Sequence, residues 1–325
     1  MIYSLALTGP TASGKTALSI EIAKALGCEI ISCDSMQIYQ EMNIGTAKAT
    51  AEERRAAPHH MIDFLSPTES YSAESYRAGA LDAAKEITAR GNIPLFVGGT
   101  GLYVDSLLRG AMKAVPESSP EYRKNIEKSL KTEEDVSALW ERLHAVDPES
   151  AEVIHKNNLR RVIRALEIYD TTGKTKSYFD KLSREAATDI KIGMVTLVFH
   201  NRENLYSQVD KRVDLMIKEG LVDEVRRLYE RGLLDEKTTA AQAIGYKEML
   251  MHVRGEISLE DAVGLIKQST RRYAKRQLTW FRHEKDAVRL YLDTDEGKLL
   301  PRSEIAAEAI STMKKMINDI KEHNL

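Results

Sequence analysis

Eight residues near the start of the chain, GPTASGKT from Gly9 to Thr16, have the types and spacing of a phosphate-binding loop. In such a loop, glycines let backbone N–H groups turn towards an anion, and the start of the following helix adds partial positive charge. Lys15 would supply a full charge, and the Thr16 hydroxyl can hold Mg²⁺. The predicted phosphate-binding residues are Gly9, Pro10, Thr11, Ala12, Ser13, Gly14, Lys15 and Thr16. The pattern indicates a phosphorylated ligand and leaves its identity open.

The second feature that could take part in chemistry is an acidic residue at the end of a predicted strand. Kinases and hydrolases with a phosphate loop normally place a metal-binding acid at the end of another buried strand. The apolar run IPLFV, however, ends in Gly98, Gly99 and Thr100, and the one strand-end acid is Asp34, which follows EIISC. Ligands of open α/β sheets bind at the carboxyl ends of strands, so we expect Asp34 beside the phosphate loop. It would bind a metal, do other chemistry, or cap a helix.

Two amphipathic segments carry clustered arginines that suit phosphate groups. In NLRRVIRALEIY, residues 158–169, Arg160 and Arg164 are four apart and project together beside Arg161. In RRYAKRQLTWFR, residues 271–282, basic residues again share faces, and Trp280 and Phe281 follow. Such clusters suit an RNA backbone, and aromatic rings suit unstacked bases. The alternative for either helix is a solvated basic face with buried aromatics, but two such helices in a chain with a phosphate loop favour RNA.

The elements that would position these residues follow an alternating pattern. The runs IYSLALT, EIISC and IPLFVGG are predicted strands, and KTALSIEIAKAL and AESYRAGALDAAKEITARG are predicted helices. This alternation predicts an α/β fold with a parallel sheet covered by helices on both faces. Charged helical patterns then dominate until the strand-like GMVTLVF at 193–199, after which we expect helices to the C-terminus. We predict a core of residues 1–114 and 191–325, interrupted by a helical insertion of residues 115–190.

Composition narrows the class of protein. The 325 residues are 42% hydrophobic and 30% charged with a net charge of −2, as in an ordinary soluble chain. No run approaches 18 apolar residues, and the apolar MIYSLALTG leads straight into the phosphate loop, so we predict a first strand rather than a signal peptide or membrane span. Cys28 and Cys33 are too few for a disulfide framework or a structural zinc site. We expect a cytoplasmic protein that does not bind membranes.

Five further motifs extend the phosphate loop into a specific series. After GPTASGKT come DSMQIYQEMNIGTAK at 34–48, APHHMIDF at 57–64, GGTGLY at 98–103, AIGYKE at 243–248 and AKRQLTWFR at 274–282. In this order they resemble the bacterial tRNA dimethylallyltransferase family, also called tRNA isopentenyltransferases. Several ordered motifs are far more specific than a phosphate loop alone. The chain after about residue 289 and much of the insertion carry little of the resemblance.

The resemblance implies a fold, a reaction and site residues. The fold would be a P-loop NTPase-like core with a helical insertion domain. The enzyme would transfer a dimethylallyl group from dimethylallyl diphosphate to N6 of the adenosine immediately 3′ of the anticodon, position 37, in tRNAs that read codons beginning with U. Residues 9–16 would bind the diphosphate with Mg²⁺, held by Thr16. Asp34 would accept the N6 proton, while Thr100 and Arg212 would stabilise the departing diphosphate.

The resemblance also implies contacts with tRNA, through its anticodon stem-loop, by a monomeric protein. The implied residues are Asp34, Ser35, Met36, Gln37, Thr100, Arg123, Arg160, Arg161, Val162, Ile163, Arg164, Gln242, Ala243, Ile244, Gly245, Tyr246 and Lys247. The reaction agrees with the chemistry of these residue types. A carboxylate can take the proton of a weakly nucleophilic amine, cationic and hydroxyl donors can stabilise a diphosphate leaving group, and basic contacts can offset the cost of extruding a stacked base.

Two positions depart from the family pattern. Asn43 stands where an Asp is usual in DIGTAK, which removes a charge and puts a metal role for this position in doubt. Gln208 stands at a position that is often basic, so Lys211 is the nearest basic neighbour of Arg212 in the chain. From the residues alone, two alternatives remain: a P-loop kinase of a nucleoside or small metabolite, and an RNA-binding protein with a regulatory nucleotide switch.

Overall fold

The structure is a computed structural model that describes residues 1–108, 115, 118–185 and 190–322. The chain divides into two compact units. The core unit comprises Met1–Leu108 and Asp189–Leu325, and the insertion unit comprises Arg109–Thr188. Residue 114, where the first predicted boundary falls, lies outside the described residues.

The core unit contains a six-stranded parallel sheet, which confirms the predicted fold class. Its strands are β1 (Ile2–Thr8), β2 (Cys28–Cys33), β3 (His59–His60), β4 (Ile93–Gly98), β5 (Ile190–Val198) and β6 (Val288–Tyr291), in the order β3-β2-β4-β1-β5-β6. The expectation of helices alone after residue 199 was wrong, because β6 completes the sheet there. Only Leu290 is buried in this four-residue edge strand, so its sequence carries no recognisable alternation.

Helices cover both faces of the sheet. Those of the core unit are α1 (Lys15–Leu26), α2 (Ala51–Ala56), α3 (Ala73–Ala89), α4 (Gly101–Leu108), α10 (Arg202–Lys218), α11 (Leu221–Glu230), α12 (Tyr246–Val253), α13 (Leu259–Phe281) and α14 (Arg302–Glu322), with a 3-10 helix at Ala240–Gln242. Side chains alternate along a strand, so Leu5 and Leu7 of β1 pack with α1 and α14, whereas Ala6 packs with α3 and α4. A separate core joins residues 38–42 to α10–α13.

The insertion unit is entirely helical within residues 118–185. Its helices are α5 (Pro120–Ser129), α6 (Glu133–Val146), α7 (Pro148–Val153), α8 (Leu159–Thr172) and α9 (Lys176–Glu185). The apolar stripe of α8, with Val162 and Leu166, packs against Leu143 of α6 and Ile154. Thr132 and Asp147 accept hydrogen bonds that cap α6 and α7.

Candidate active site

Three adjacent strands end at the site. In the sheet register Cys33 of β2 pairs with Gly98 of β4, which pairs with Thr8 of β1. The phosphate loop follows β1, Asp34 follows β2, and the turn to Thr100 follows β4. The parallel register therefore brings the three sequence-predicted elements to one edge of the sheet, where α/β proteins bind ligands.

The phosphate loop closes on itself around the Lys15 side chain. Gly14 adopts a left-handed conformation with φ of 78° before α1, and the Ser13 hydroxyl donates to the Pro10 carbonyl at 2.8 Å. Lys15 Nζ donates to the carbonyl oxygens of Gly9 at 3.0 Å and Pro10 at 2.6 Å. Burial, reinforced by Arg212, lowers the pKa of Lys15 to about 7, against the opposing effect of Asp34. Lys15 thus interacts with both the Arg212 cation and the Asp34 carboxylate, and an anionic ligand beside it would stabilise its charged form.

The two carboxylate oxygens of Asp34 have different environments. Oδ1 accepts hydrogen bonds from the backbone N–H of Met36 at 2.9 Å and of Gln37 at 3.4 Å. This is the capping contact considered from the sequence, here closing a turn instead of a helix. Among the described residues, no hydrogen bond engages Oδ2. One oxygen therefore holds the loop, and the other is available to a substrate proton.

Thr100 links the strand ends of β2 and β4. Its backbone N–H donates to the Cys33 carbonyl at 3.2 Å, and its hydroxyl oxygen accepts from the Ser35 N–H at 3.1 Å. Gly98 permits this approach, because a Cβ at that position would collide with the Cys33 carbonyl. The Thr100 carbonyl accepts from the N–H of Tyr103 at 2.9 Å and so begins α4. Asp34 and Thr100 thereby hold a defined relative position.

Gln277 is a site residue that sequence reasoning missed. Its Oε1 accepts a hydrogen bond from the Thr11 N–H at 2.8 Å, and its Nε2 donates to the Gly99 carbonyl at 2.8 Å. The side chain is buried and reaches from α13 to the two loops. It lies within AKRQLTWFR, a segment interpreted from its basic and aromatic residues, and the one signal that could have found it was its membership of that motif.

Arg212 reaches the site from α10. Its Nη2 donates to the Thr46 carbonyl at 3.4 Å, and Gln37 Nε2 donates to the same oxygen at 3.2 Å. Burial lowers the pKa of Arg212, and the charge of Asp34 opposes this shift. Arg212, Lys15 and Asp34 thus form one interacting set of charges.

Two cavities meet at these charges. One, of about 220 Å³, is lined by the phosphate loop with Gly98, Gly99 and Gln277. The other, of about 260 Å³, is lined by residues 34–36 and 242–245 and by apolar side chains of α10 and α13. Thr11, Asp34, Arg212 and Tyr273 line both. Burial and the nearby Asp34 raise the pKa of Tyr273 to about 12, so this phenol remains protonated.

The residues implied to contact tRNA in the core unit fall into two groups. Ser35, Met36 and the segment 242–245 line the larger cavity, and Lys247 is exposed. Tyr246 differs from these residues, because its side chain is fully buried and donates its hydroxyl hydrogen to Glu224 at 2.6 Å. Its side chain supports the core and does not face a ligand.

The basic segment 267–285, most of which lies on α13, has two of its cations paired with acidic residues of α10. Lys267 pairs with Asp214 at 2.6 Å, and Arg271 forms two hydrogen bonds to Asp210 at 2.9 and 3.0 Å. The exposed basic residues are Arg272, Lys275, Arg276, Arg282 and Lys285. Phe281 is 2% exposed, and Trp280 packs against Gly101, so the suggested stacking of bases on this pair is wrong for Phe281. Arg276 also lines the larger cavity, so this basic face begins at its mouth.

In the insertion unit, Arg160 and Arg161 are exposed on the first turn of α8. Arg164 instead pairs with the buried Glu167 at 2.7 Å. Val162 and Ile163 are 0% and 1% exposed, so their side chains fill the core, and their implied contacts with RNA would have to be made by the backbone. Outside α8, the half-buried Arg123 donates to Ser118 Oγ at 3.1 Å.

The donors around Thr16 fit Mg²⁺. Thr16, Asp34 and Glu53 all line the smaller cavity, and their side chains carry hard oxygen donors, the type that Mg²⁺ prefers. The described residues contain no cluster of three or more His, Cys, Asp or Glu that could hold a metal ion alone. A magnesium ion here would share its ligands with a bound diphosphate, as at other phosphate loops.

The two departures have different surroundings. Asn43 is exposed, and its backbone N–H donates to Glu224 at 3.0 Å. Gln208 lines a further cavity of about 230 Å³, whose walls include residues 12–14 of the phosphate loop as well as Arg302 and Ile305 of α14. Cys28 and Cys33 are both buried free thiols.

Comparison with known proteins identifies the family. The IPP transferase model matches residues 37–284, and the isopentenyl transferase model matches residues 2–63. The chain is 48% identical to a tRNA dimethylallyltransferase of Bacillus mycoides over 293 residues, 90% of each chain. It is similar to the crystal structure of a tRNA isopentenylpyrophosphate transferase of Bacillus halodurans, with a TM-score of 0.72, 38% identity, and coverage of 100% and 99% of the two chains.

A eukaryotic dimethylallyltransferase crystallised acting on tRNA is also similar, with a TM-score of 0.73, 31% identity, and coverage of 90% of this chain and 74% of that one. These likenesses do not favour the kinase and nucleotide-switch alternatives, because every protein named here is a prenyl transferase. The strand-end site, the motifs and the matches agree: the chain belongs to the tRNA dimethylallyltransferase family of prenyl transferases.

Proposed function

We propose that the protein transfers the dimethylallyl group of dimethylallyl diphosphate to N6 of the adenosine immediately 3′ of the anticodon in tRNAs that read codons beginning with U. The observation that carries this proposal is the position of Asp34 at the junction of two cavities. The smaller has a phosphate loop for the donor's diphosphate, and the larger, lined by residues 34–36 and 242–245, has room for an extruded base.

Each residue then has a chemical task. N6 attacks C1 of the dimethylallyl group, the C1–O bond breaks, and the diphosphate leaves with the electron pair. Asp34 Oδ2 accepts the N6 proton, because Oδ1 is engaged by the turn. Lys15 and Arg212, which line the smaller cavity, stabilise the charge that grows on the leaving group. We assign the same task to the Thr100 hydroxyl, which the Ser35 N–H holds beside Asp34 at the strand ends. Gln277 keeps the phosphate loop and the Gly99 turn together around it.

Magnesium would be held by Thr16 with oxygens of the donor, and when bound it would neutralise part of the diphosphate charge. The phosphate loop itself contributes N–H groups and the start of α1. Lys15 is half-buried, and its partial removal from water strengthens its attraction for the diphosphate.

We assign tRNA backbone contacts to exposed basic residues. These are Arg272, Lys275 and Arg276 of α13 in the core unit and Arg160 and Arg161 of α8 in the insertion unit. Arginine and lysine on one helix face attract phosphates without reading sequence. None of the helices in the described residues is long and apolar enough to cross a membrane. Cytoplasmic location and a monomeric state stay predictions.

The direct test follows label from the donor into RNA. The protein is incubated with Mg²⁺, dimethylallyl diphosphate labelled in its prenyl group, and unmodified tRNA that has either adenosine or guanosine 3′ of the anticodon. We expect label only in the adenosine tRNA, with diphosphate as the other product. Label in both RNAs, or in neither, would refute the assignment. A parallel reaction with γ-labelled ATP tests for phosphate transfer, which we expect to be absent.

A further inference from the structure

Glu224 is a buried carboxylate outside the reacting groups. It lies on α11, is 3% exposed, and accepts hydrogen bonds from three consecutive backbone N–H groups. Asn43 N donates to Oε2 at 3.0 Å, Ile44 N to Oε2 at 2.9 Å, and Gly45 N to Oε1 at 3.2 Å. The three N–H groups of residues 43–45 thus bind the carboxylate as backbone loops bind an anion, which fixes the position of this segment.

Tyr246 completes this arrangement. Its hydroxyl donates to Glu224 Oε1 at 2.6 Å, and its ring packs directly against Gly45. A Cβ on Gly45 would lie 2.7 Å from Tyr246 Cζ, closer than carbon atoms approach. The glycine, the phenol and the carboxylate therefore specify one position for the loop.

The same loop reaches the reacting groups with its next residues. The Thr46 carbonyl accepts from Arg212 Nη2 at 3.4 Å and from Gln37 Nε2 at 3.2 Å. Gly45 and Thr46 also line the larger cavity together with Asp34 and Arg212. The position of the Arg212 guanidinium consequently depends on a carbonyl whose own position is set by Glu224.

Resting on the proposed function, we propose that Glu224, with Tyr246, is a positioning residue that orients Arg212 towards the diphosphate through the loop 43–46. Glu224 does not touch substrate. Its charge matters because a carboxylate presents only acceptors, whereas an amide in its place would turn hydrogens towards the N–H groups. Misplacement of a group by about 1 Å can cost on the order of 10² in rate.

Two substitutions separate this role from general stability. Glu224→Gln keeps the shape and removes acceptors, and we expect kcat to fall by about 10- to 100-fold while KM for the donor changes by less than about threefold. Tyr246→Phe removes one hydrogen bond, and we expect a fall of about three- to tenfold. Asp223→Asn is the matched control, because Asp223 is the preceding residue, is exposed and pairs with Arg226 on the surface. We expect it to behave as wild type.

A double-mutant cycle tests whether Glu224 acts through Arg212. In an Arg212→Lys background the hydrogen bond from the guanidinium to the Thr46 carbonyl is already lost. There we expect Glu224→Gln or Tyr246→Phe to lower kcat by less than about threefold. Full, additive losses in that background would overturn the proposal. Should Glu224→Gln fail to fold, the Tyr246→Phe cycle decides the matter alone.

Hydrogen exchange separates this inference from the proposed function. We expect the amides of residues 43–45 to be protected in the wild type and to exchange at least about tenfold faster in Glu224→Gln, whatever reaction the protein catalyses. Unchanged protection would refute the positioning role. Faster exchange with no prenyl transfer by the wild type would leave the loop contact standing and refute the proposed function.

Discussion

Replacing Asp34 by Asn separates the structural role of Oδ1 from the proposed role of Oδ2 as proton acceptor. Asn can still accept the hydrogen bonds of Met36 and Gln37 through Oδ1, which hold the loop after β2. It cannot take a proton from N6 at neutral pH, because an amide nitrogen in place of Oδ2 has no basic lone pair. We therefore expect a folded protein that binds tRNA and donor and transfers the prenyl group very slowly.

The size of the loss follows from the role. General base catalysis contributes about 10²–10⁴ in rate, so the activation free energy should rise by about 3–5 kcal/mol. The free energy of unfolding should change little, because the turn keeps its acceptor. Asp34→Ala removes both the base and the acceptor and should lose a further 1 kcal/mol or so of stability, the usual value of such a contact.

The assay is single-turnover transfer of labelled prenyl group into tRNA at saturating enzyme, with urea unfolding of the same preparations. Asp34→Asn and Asp34→Ala should be equally slow in the chemical step and differ in stability. The reasoning fails if Asp34→Asn retains more than about a tenth of the wild-type rate, well above the range for a lost base.

Three further changes test a contact inside the site, an ion pair at the opposite end of β2 and the basic face of α13. Gln277→Leu leaves the half-buried Thr11 N–H and the buried Gly99 carbonyl unpaired, so urea unfolding should show a loss of about 2–5 kcal/mol, and a loss below about 1 kcal/mol would contradict the bridging role. The pKa of Glu29 is lowered from 4.5 to about 2, chiefly by its hydrogen bond with Arg90. Its stabilisation is thus complete above pH 4.5 and disappears as the pH falls through 2, so the difference in Tm between wild type and Glu29→Gln should shrink on acidification, and a constant difference would disprove the linkage. Lys275→Gln combined with Arg276→Gln should reduce the slope of log affinity for tRNA against log salt by one to two, roughly one for each lost phosphate contact, and an unchanged slope would exclude both residues from the interface.

Much of the sheet could be predicted from the sequence because its strands are buried on both faces. The runs that became β1, β2 and β4 are continuous and apolar, and turn residues bound them. The position of Asp34 beside the phosphate loop followed from the rule for strand ends. β3 and β6 escaped, because two and four residues carry too short a pattern for any periodicity.

The supporting contacts could not be predicted for a different reason. Gln277 lies 266 residues from Thr11, and Glu224 lies 181 residues from Asn43, so no local spacing connects them. In a helix with many charged residues, the sequence does not show which Glu is buried and which is exposed, because burial depends on tertiary packing. The resemblance implied which positions meet substrate, but it could not distinguish Val162 or Tyr246, whose side chains fill the interior, from neighbours on the surface.

The order of strands has a consequence for synthesis of the chain. β1 lies inside the sheet between β4 and β5, and the insertion unit Arg109–Thr188 separates those two partners in the chain. As the protein leaves the ribosome, β1 can pair with β4 once residue 98 has emerged, but its other edge has no partner until β5 follows about ninety residues later. During that interval an apolar strand presents open N–H and C=O groups, the feature that promotes aggregation. Because the length of the insertion unit sets this interval, a shorter insertion would shorten the exposure.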